Sequence, residues 1–107
     1  MDLYLTGPIS QNPHAKGQFD KTAEILRTAG FIVVNPFELG HPVDATWEQN
    51  LAVDLKAMMD VMLSGGELAI VDTRIPSRGM ALEICVASAL GMIARPWLEY
   101  LEGKLRP

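Results

Sequence analysis

A single carboxylate interrupts an otherwise apolar segment in the last third of the chain. Glu83 is the only charged residue among residues 80–90, whose sequence is MALEICVASAL. An ionised carboxylate that is stripped of water costs several kcal/mol unless it is paired or hydrogen-bonded, so we expect Glu83 to lie in or beside a cavity. The alternative is a glutamate in a first helical turn, where it stabilises the helix dipole by about 0.3–1 kcal/mol.

The three residues before the predicted helix are Ser77, Arg78 and Gly79. Serine and glycine are common at helix N-termini, where a serine side chain accepts a hydrogen bond from a free backbone N–H group. The same N–H groups and the positive end of the helix dipole also bind phosphate, and a glycine allows close approach. Ser77 and Gly79 are therefore candidates either for capping the helix or for binding an anion, and Arg78 is either an added positive charge or solvated.

Two further carboxylates have positions that suit a role in a site. Asp72 ends a predicted strand, and Asp54 lies three residues after Leu51 and four before Met58 in an apolar helical stripe. The stripe leaves open whether Asp54 reaches a site or only lines the boundary of the helix. Glu67 begins the strand that Asp72 ends, so we expect it to be solvated at the opposite edge.

Short apolar runs alternate with helical patterns along the whole chain. The pattern predicts strands at residues 3–6, 31–34, 68–71 and 92–94, and helices at 19–29, 47–62, 80–90 and a terminal turn at 97–101. Such alternation is typical of an α/β fold with a small parallel sheet of four or five strands between two helical layers. The length of 107 residues suits a single domain covering 1–107.

Ligands of parallel α/β sheets bind outside the carboxyl ends of the strands, near the point where the strand order reverses. Three predicted segments meet that edge, at residues 6–10, 35–42 and 72–79. The first is a glycine turn that is neither a Walker loop nor a GxGxxG motif, but it brings backbone donors to the edge. The candidate substrate-binding residues there are Gly7, Pro8, Ile9, Ser10, Asn35 and Pro36.

Composition restricts the classes of partner. The formal net charge is −4, and the nine basic residues are scattered, which argues against a nucleic-acid backbone as partner. Cys85 is the only cysteine and lies in an apolar run, where we expect a small buried side chain. His14 and His41 lack a ligand spacing, so we expect no metal and no cofactor. The chain shows no signal peptide and no apolar stretch as long as a membrane span, so we expect a cytoplasmic protein with no membrane partner.

The apolar content indicates association between copies of the chain. Hydrophobic residues make up 49% of the sequence, which is rich for a small domain. A chain of this length buries roughly two-thirds of the surface that it exposes when unfolded. We therefore expect a homo-oligomer built on the second and third helices, because large exposed apolar patches are unusual on monomers.

Four groups of residues together resemble the nucleoside 2-deoxyribosyltransferase-like superfamily. They are the opening YLTGPIS from Tyr4 to Ser10, the residues Phe19, Leu26, Gly30, Val33, Asn35 and Pro36, the pattern Trp47…Asp54-Leu55, and Ser77-x-Gly79-x-x-x-Glu83. The resemblance extends from Tyr4 to Gly91 and is greatest to small, phage-associated members of that superfamily. It implies a Rossmann-like or flavodoxin-like three-layer sandwich.

The resemblance also implies roles for particular residues. Glu83 would attack the anomeric carbon, and Tyr4 would orient it. In the branch similar to 2′-deoxynucleoside 5′-monophosphate N-hydrolases, a serine at the position of Ser77 binds the 5′-phosphate, and Gly7 to Ser10 match the first ligand-binding turn. Those hydrolases place an aspartate where this chain has Glu67. Asp54 or Asp72 would then have to protonate the departing base, with a raised pKa.

The sequence thus predicts an N-glycosidase that cleaves the base from a nucleoside 5′-monophosphate through a glutamate nucleophile. Three alternatives stay open. A second base that replaces water would make the protein a nucleoside deoxyribosyltransferase. A site that binds without cleaving would make it a nucleotide-sequestering protein. An interaction module that uses the methionine-rich second helix needs no pocket.

Overall fold

The computed structural model describes residues 1–105, which form a three-layer α/β/α sandwich. The strands of the described chain are Asp2–Thr6 (β1), Ile32–Val34 (β2), Glu67–Ile70 (β3) and Ala94–Pro96 (β4). The helices are Ala15–Thr28 (α1), Trp47–Leu63 (α2), Arg78–Ala89 (α3) and Trp97–Leu105 (α4), with a 3₁₀ turn at Pro36–Glu38. The predicted α/β class and the parallel sheet are confirmed, with four strands in this part of the chain.

All neighbouring strands of the sheet are parallel, in the order β2-β1-β3-β4. The chain moves outward from β1 to β2 and then returns to place β3 on the other side of β1. Tyr4 pairs with Leu68, and Thr6 pairs with Ile70. The strand order therefore reverses between β1 and β3, and their carboxyl ends, at Thr6 and Ile70, open on the same edge.

Side chains alternate across β1 and contribute to two cores. Leu3 and Leu5 face α1 and α4, whereas Tyr4 faces α2 and α3. On the α1–α4 side the buried residues are Leu3, Leu5, Phe19, Ala23, Leu26, Phe31, Val33, Ala69, Val71 and Tyr100. On the α2–α3 side they are Tyr4, Met58, Val61, Leu68, Ala87 and Met92. The two helices α1 and α4 therefore cover one face of the sheet, and α2 and α3 cover the other.

Local sequence signals fix the beginnings of the two helices on that side. At the start of α2 the Thr46 hydroxyl accepts a hydrogen bond from the Gln49 N–H at 3.1 Å, and the Gln49 side chain accepts one from the Thr46 N–H at 2.8 Å. This reciprocal capping box satisfies two free donors of the helix. At the start of α3 the Ser77 hydroxyl accepts from the Met80 N–H at 3.4 Å.

Several predicted boundaries are wrong. Helix α1 begins at Ala15, four residues before the predicted start at residue 19, and α4 continues to Leu105, beyond the predicted end at residue 101. Strand β4 occupies Ala94–Pro96, two residues further along than the predicted 92–94, and so includes a proline. Proline has no backbone N–H group to donate. Pro96 is tolerated in β4 because this strand lies at the edge of the sheet. No helix formed by residues 1–105 is long and apolar enough to cross a membrane.

The expectation that Cys85 is buried is also wrong, because its side chain is exposed. Helix α3 fully buries Glu83 and Ala87, which are four residues apart and face the sheet. Cys85 lies midway between them and therefore on the opposite face of the helix. The apolar composition of α3 concealed which of its faces is covered.

Candidate functional site

Glu83 projects from the first half of α3 toward the carboxyl end of β1. Its side chain is only 6% exposed. The Tyr4 hydroxyl donates to Oε2 at 2.8 Å, and the Thr6 hydroxyl donates to Oε1 at 2.8 Å. Tyr4 and Thr6 are two residues apart on β1, so the pleat aims both side chains at the same face. The carboxylate is thus held by two neutral donors rather than by a cation.

The surroundings of Glu83 bring the pKa of its carboxyl near neutral pH. Burial raises the pKa of this carboxyl to about 7, against the opposing effect of the two hydrogen bonds from Thr6 and Tyr4, and the negative charge of Asp54 raises it further. Burial and the neighbouring carboxylate also raise the pKa of the Tyr4 hydroxyl far above its ordinary range, so Tyr4 remains a donor. At neutral pH Glu83 therefore exists in both its ionised and its protonated form.

Glu83 faces a cavity of about 150 Å³ between the turn after β1, α2 and the beginning of α3. The residues that line it are Gly7, Ile9, Ser10, Trp47, Asn50, Leu51, Asp54, Ser77, Gly79, Met80 and Glu83. This edge is the one that the reversal in strand order selects. Besides Glu83, this cavity is lined by six residues that we predicted from the sequence for substrate binding or catalysis: Gly7, Ile9, Ser10, Asp54, Ser77 and Gly79.

One end of this cavity is the N-terminus of α3. Ser77 caps the helix and lines the cavity, so its two predicted roles are compatible. A side-chain carbon added to Gly79 would meet no protein atom within 4 Å, so the space beside this glycine is open. The guanidinium of Arg78 stacks on the ring of Trp47, 4.0 Å from its centroid. This end of the cavity therefore has the N–H groups of a helix N-terminus, and the positive charge of Arg78 lies against Trp47 in its wall.

The other end of the cavity contains a second titratable group. Asp54 is 15% exposed, and its Oδ1 lies 2.6 Å from Nε2 of His41. Burial raises the pKa of the Asp54 carboxyl, against the opposing effect of His41. A second cavity of about 250 Å³ begins here and is lined by Ile9, Pro36, Phe37, His41, Asn50 and Asp54. The two cavities share Ile9, Asn50 and Asp54 in their linings and therefore adjoin, and we call the two together the edge cleft.

Asp72 has a different environment from the one that a general acid requires. Its carboxylate accepts from the Arg74 backbone N–H at 2.9 Å and pairs with the Arg74 guanidinium at 2.9 and 3.0 Å. The hydrogen bonds from Arg74 lower the pKa of Asp72 to about 2. Gln18 of α1 also approaches it at 3.4 Å. We expected the pKa of the acid to be raised. The pKa of Asp54 is raised, but for Asp72 the expectation is wrong. Asp72 also lines no part of the edge cleft.

Of the predicted binding residues Asn35, Pro36 and Pro8, only Pro36 lines the edge cleft. Asn35 is 1% exposed, and its side chain accepts from the Phe37 N–H at 3.1 Å and donates to Asp20 at 2.8 Å. Both ends of this amide are therefore used within the protein, where they cap the 3₁₀ turn and hold α1. Pro36 lines the edge cleft, and Pro8 is fully buried beneath the glycine turn.

Glu67 lies at the amino end of β3, away from the edge cleft. We expected it to be solvated, which is wrong, because its side chain is only 17% exposed. The Tyr100 hydroxyl donates to its Oε1 at 2.9 Å, and Arg95 lies 3.8 Å away. A carboxylate at the opposite end of the strand from the edge cleft cannot assist chemistry beside Glu83.

Thr6, His41 and Asn50 belong to the site but were not among the predicted site residues. The period of two along β1 could have paired Thr6 with Tyr4. His41 lies in a loop 13 residues from Asp54, and no local sequence pattern predicts the contact between the two side chains. Asn50 is one turn before Asp54 on the same face of α2, so the helical period points to it. Within residues 1–105, no group of three His, Cys, Asp or Glu side chains is arranged to hold a metal ion.

The fold and the cleft together define a Rossmann-like α/β protein with a buried carboxylate at the switch point of its sheet. The family model described as "Domain of unknown function (DUF4406)" matches residues 1–94, and the chain belongs to that family. The matched residues include every residue of the edge cleft. No curated protein and no solved structure matches the chain.

Proposed function

We propose that this protein is an N-glycosidase that releases the base from a nucleoside 5′-monophosphate, with Glu83 as the nucleophile. The observation that carries the proposal is Glu83 itself. It is a buried carboxylate without a cation, held by Tyr4 and Thr6, and it lines a cavity that has an anion-attracting helix end on one side. The sequence resemblance to the nucleoside 2-deoxyribosyltransferase-like superfamily supports the same chemistry.

Glycosidic cleavage develops positive charge on the anomeric carbon. The ionised carboxylate of Glu83 stabilises that charge and then bonds to the carbon, while the bond to the base nitrogen breaks and its electron pair leaves with the base. Two hydroxyl donors fix the orientation of the carboxylate without neutralising it, as a salt bridge would. Water then attacks the anomeric carbon, gives its hydroxyl to the sugar and its proton to a base in the site, and frees Glu83.

The departing base needs a proton, and the Asp54–His41 pair is placed to supply it. The two side chains share one hydrogen bond at 2.6 Å at the opposite end of the first cavity from Ser77. Burial favours the protonated form of Asp54, as a general acid requires. The negative charge of Asp54 also raises the pKa of Glu83, so the ionisation of Glu83 depends on the charge of the proposed acid. Asp54 and His41 therefore replace Asp72 as the acid.

The 5′-phosphate has a matching position at the beginning of α3. Ser77 and Gly79, at the beginning of the helix, line the cavity, and the guanidinium of Arg78 stacks on Trp47, another residue of its lining. Glu83 lies further along the same helix, so a phosphate bound there directs the sugar toward its carboxylate. Binding energy at the phosphate then becomes positioning energy at the anomeric carbon.

We also propose a homo-oligomer that covers the outer faces of α2 and α3. The exposed large hydrophobic residues near these helices are Met59, Leu63, Leu82, Leu90 and Ile93. Sedimentation at micromolar concentration should give at least a dimer, and the thiol of Cys85 on the same outer face of α3 should react slowly with a maleimide. A monomer with a freely reactive Cys85 would contradict this association.

The test of the proposed function is release of free base from a panel of ribo- and 2′-deoxyribonucleoside 5′-monophosphates. Wild type should release base from at least one of them, and Glu83→Gln should not. Glu67→Gln is the matched control, because Glu67 also accepts a hydrogen bond from a tyrosine but lies at the opposite edge. Release only when a second base is added would make the protein a transferase. Tight binding without release for every nucleotide would favour sequestration.

A further inference from the structure

The edge cleft is lined by acidic side chains and by no side chain of fixed positive charge. Asp54 and Glu83 are its two carboxyl groups, and they are 15% and 6% exposed. Among the lining residues, all of which lie within residues 1–105, there is no lysine or arginine, and His41 is the only histidine. Nε2 of His41 lies 2.6 Å from Oδ1 of Asp54. Two carboxyl groups thus share the cleft with a single imidazole.

Positive groups lie instead at the beginning of α3. The guanidinium of Arg78 stacks on Trp47 there, and the helix N-terminus is the positive end of its dipole. The second cavity, at the other end, combines apolar walls from Pro36 and Phe37 with the carboxyl group of Asp54. The field along the cleft therefore suits a ligand that is negative at one end and positive at the other. A nucleotide with its phosphate at the beginning of α3 and a positively charged base would be such a ligand.

We propose that the edge cleft takes nucleoside 5′-monophosphates whose base is a ring cation, such as an N-ribosylpyridinium or an N7-alkylated purine nucleotide. This inference rests on the proposed function for the role of Glu83, and it goes further in naming the class of base. An oxygen of Glu83 bonds to the anomeric carbon, and the electron pair of the breaking C–N bond neutralises the ring, so the base leaves without a proton. Water then gives its hydroxyl to the sugar and its remaining proton to solvent, and Glu83 is freed as a carboxylate.

A cationic base would also ionise the nucleophile that attacks its own nucleotide. Burial and the charge of Asp54 raise the pKa of Glu83 to about 7, so at neutral pH about half of the molecules hold a protonated carboxyl that cannot bond to carbon. A positive ring beside Glu83 stabilises the ionised form. A neutral base gives no such stabilisation and needs the proton of Asp54 in addition. With a cationic base, Asp54 contributes its charge instead of its proton.

Calorimetric titration of wild type with a pair of uncleavable ligands tests the inference. One ligand is the carbocyclic analogue of nicotinamide mononucleotide, in which a methylene group replaces the oxygen of the sugar ring. The other is its reduced form, which has nearly the same size but no positive charge on the base. We expect the cation to bind about 10-fold more tightly. Asp54→Asn should reduce this preference to about 3-fold or less, whereas Glu67→Gln, at the opposite edge of the sheet, should retain it.

The same titrations at pH 7, in buffers of different ionisation enthalpy, count the protons released. The cation should release about half a proton more than the reduced form, because it ionises Glu83, and Glu83→Gln should abolish the difference. The measurement on wild type does not depend on the folding of a variant. A second pair, the carbocyclic analogues of adenosine 5′-monophosphate with and without a methyl group on N7, distinguishes a purine cation from a pyridinium.

The outcomes separate this inference from the proposed function. Tighter binding of the cation in either pair, with the extra proton released, supports the inference even if wild type releases base from no nucleotide. Equal binding within both pairs, tighter binding of the neutral members, or no binding at all would overturn it. A preference for the cation that Asp54→Asn leaves unchanged would overturn it as well. Base release from neutral nucleotides would then leave the glycosidase standing without a cationic substrate.

Discussion

The molecule contains two tyrosine–glutamate pairs, one at each end of its sheet. At the carboxyl end Tyr4 donates to Glu83 at 2.8 Å, and at the amino end Tyr100 donates to Glu67 at 2.9 Å. In both pairs a tyrosine side chain buried in one of the two cores reaches a carboxylate at the rim of the sheet. The two pairs share their donor and acceptor chemistry and differ in what surrounds them.

The first difference is charge. Glu67 lies 3.8 Å from Arg95, whereas Glu83 has Thr6 as its second donor and Asp54 as a charged neighbour. A cation beside a carboxylate stabilises the ionised form, but an anion and burial destabilise it. Burial and the negative charge of Asp54 raise the pKa of Glu83 to about 7. The charge state of Glu83 can change during a reaction at neutral pH.

The second difference is the location of the adjoining cavity, which matters more here than its volume. The cavity beside Glu67 measures about 460 Å³, against about 150 Å³ beside Glu83. The larger cavity lies at the amino end of the strands, where parallel sheets rarely bind ligands. The smaller cavity, in contrast, is lined by Ser77 and Gly79 at the beginning of α3. A tyrosine–glutamate pair is thus present at both ends of the sheet, but only the residues around Glu83 make the carboxyl end a candidate active site.

The largest expected effect separates the two pairs by activity. Glu83→Ala should lower base release at least about 1,000-fold, because it removes the group that stabilises and then bonds to the anomeric carbon. Glu67→Ala should change kcat/KM less than about 3-fold. The measurement is steady-state release of free base from the best nucleotide of the panel. Comparable losses in both variants would remove the distinction between the two ends.

The second prediction concerns stability against pH. The folded pKa of Glu83, about 7, lies above its ordinary value of 4.5, so the folded state holds a proton that the unfolded state releases. The free energy of unfolding should therefore fall as pH rises from about 4.5 to 7, by about 3 kcal/mol from this group. Below that window Glu83 is protonated in both states and contributes nothing to the slope.

Urea unfolding of wild type and Glu83→Gln at pH 4.5, 6 and 8 measures this contribution. Glu83→Gln should be the more stable protein at pH 8 and should lack this part of the slope, while Asp54 contributes a slope of the same sign in both proteins. Identical slopes in wild type and Glu83→Gln would show that folding does not raise the pKa of Glu83.

The smallest of these effects concerns the phosphate end of the edge cleft. Ser77→Ala should lower kcat/KM for a monophosphate about 10-fold, or about 1.4 kcal/mol, through loss of a hydrogen bond to a charged group. The same change should barely affect a nucleoside without phosphate. Equal losses for both substrates would mean that Ser77 only caps α3, as its contact with the Met80 N–H also allows.

Much of this arrangement follows from local sequence. The alternation of strands and helices predicted the sheet, and the rule for parallel sheets selected the edge where Glu83, Ser77 and Gly79 meet. The isolated charge of Glu83 in an apolar helix was itself the signal of a cavity. Asp54 was positioned by the helical period of α2, although the period alone could not decide which way it faced.

Contacts between distant loops and strands could not be predicted in the same way. Arg74 neutralises Asp72 through a turn whose geometry the sequence does not specify, and His41 reaches Asp54 from a loop without a motif. Apolar composition also failed to separate core from surface on α3, where Cys85 is exposed. Hydrophobic content indicates that surface is buried but not against what, and a partner copy would cover the same residues.

The central claim is that Glu83 bonds to the anomeric carbon, and intact-protein mass spectrometry tests it most directly. Wild type is incubated with a 2′-fluorinated analogue of its best nucleotide, because the fluorine destabilises the positively charged transition state and slows loss of the sugar from the enzyme. We expect a mass increase equal to the fluorinated sugar phosphate without its base, located by peptide analysis on Glu83 and absent from Glu83→Gln. Release of free base with no adduct, or with the adduct on another residue, would contradict it.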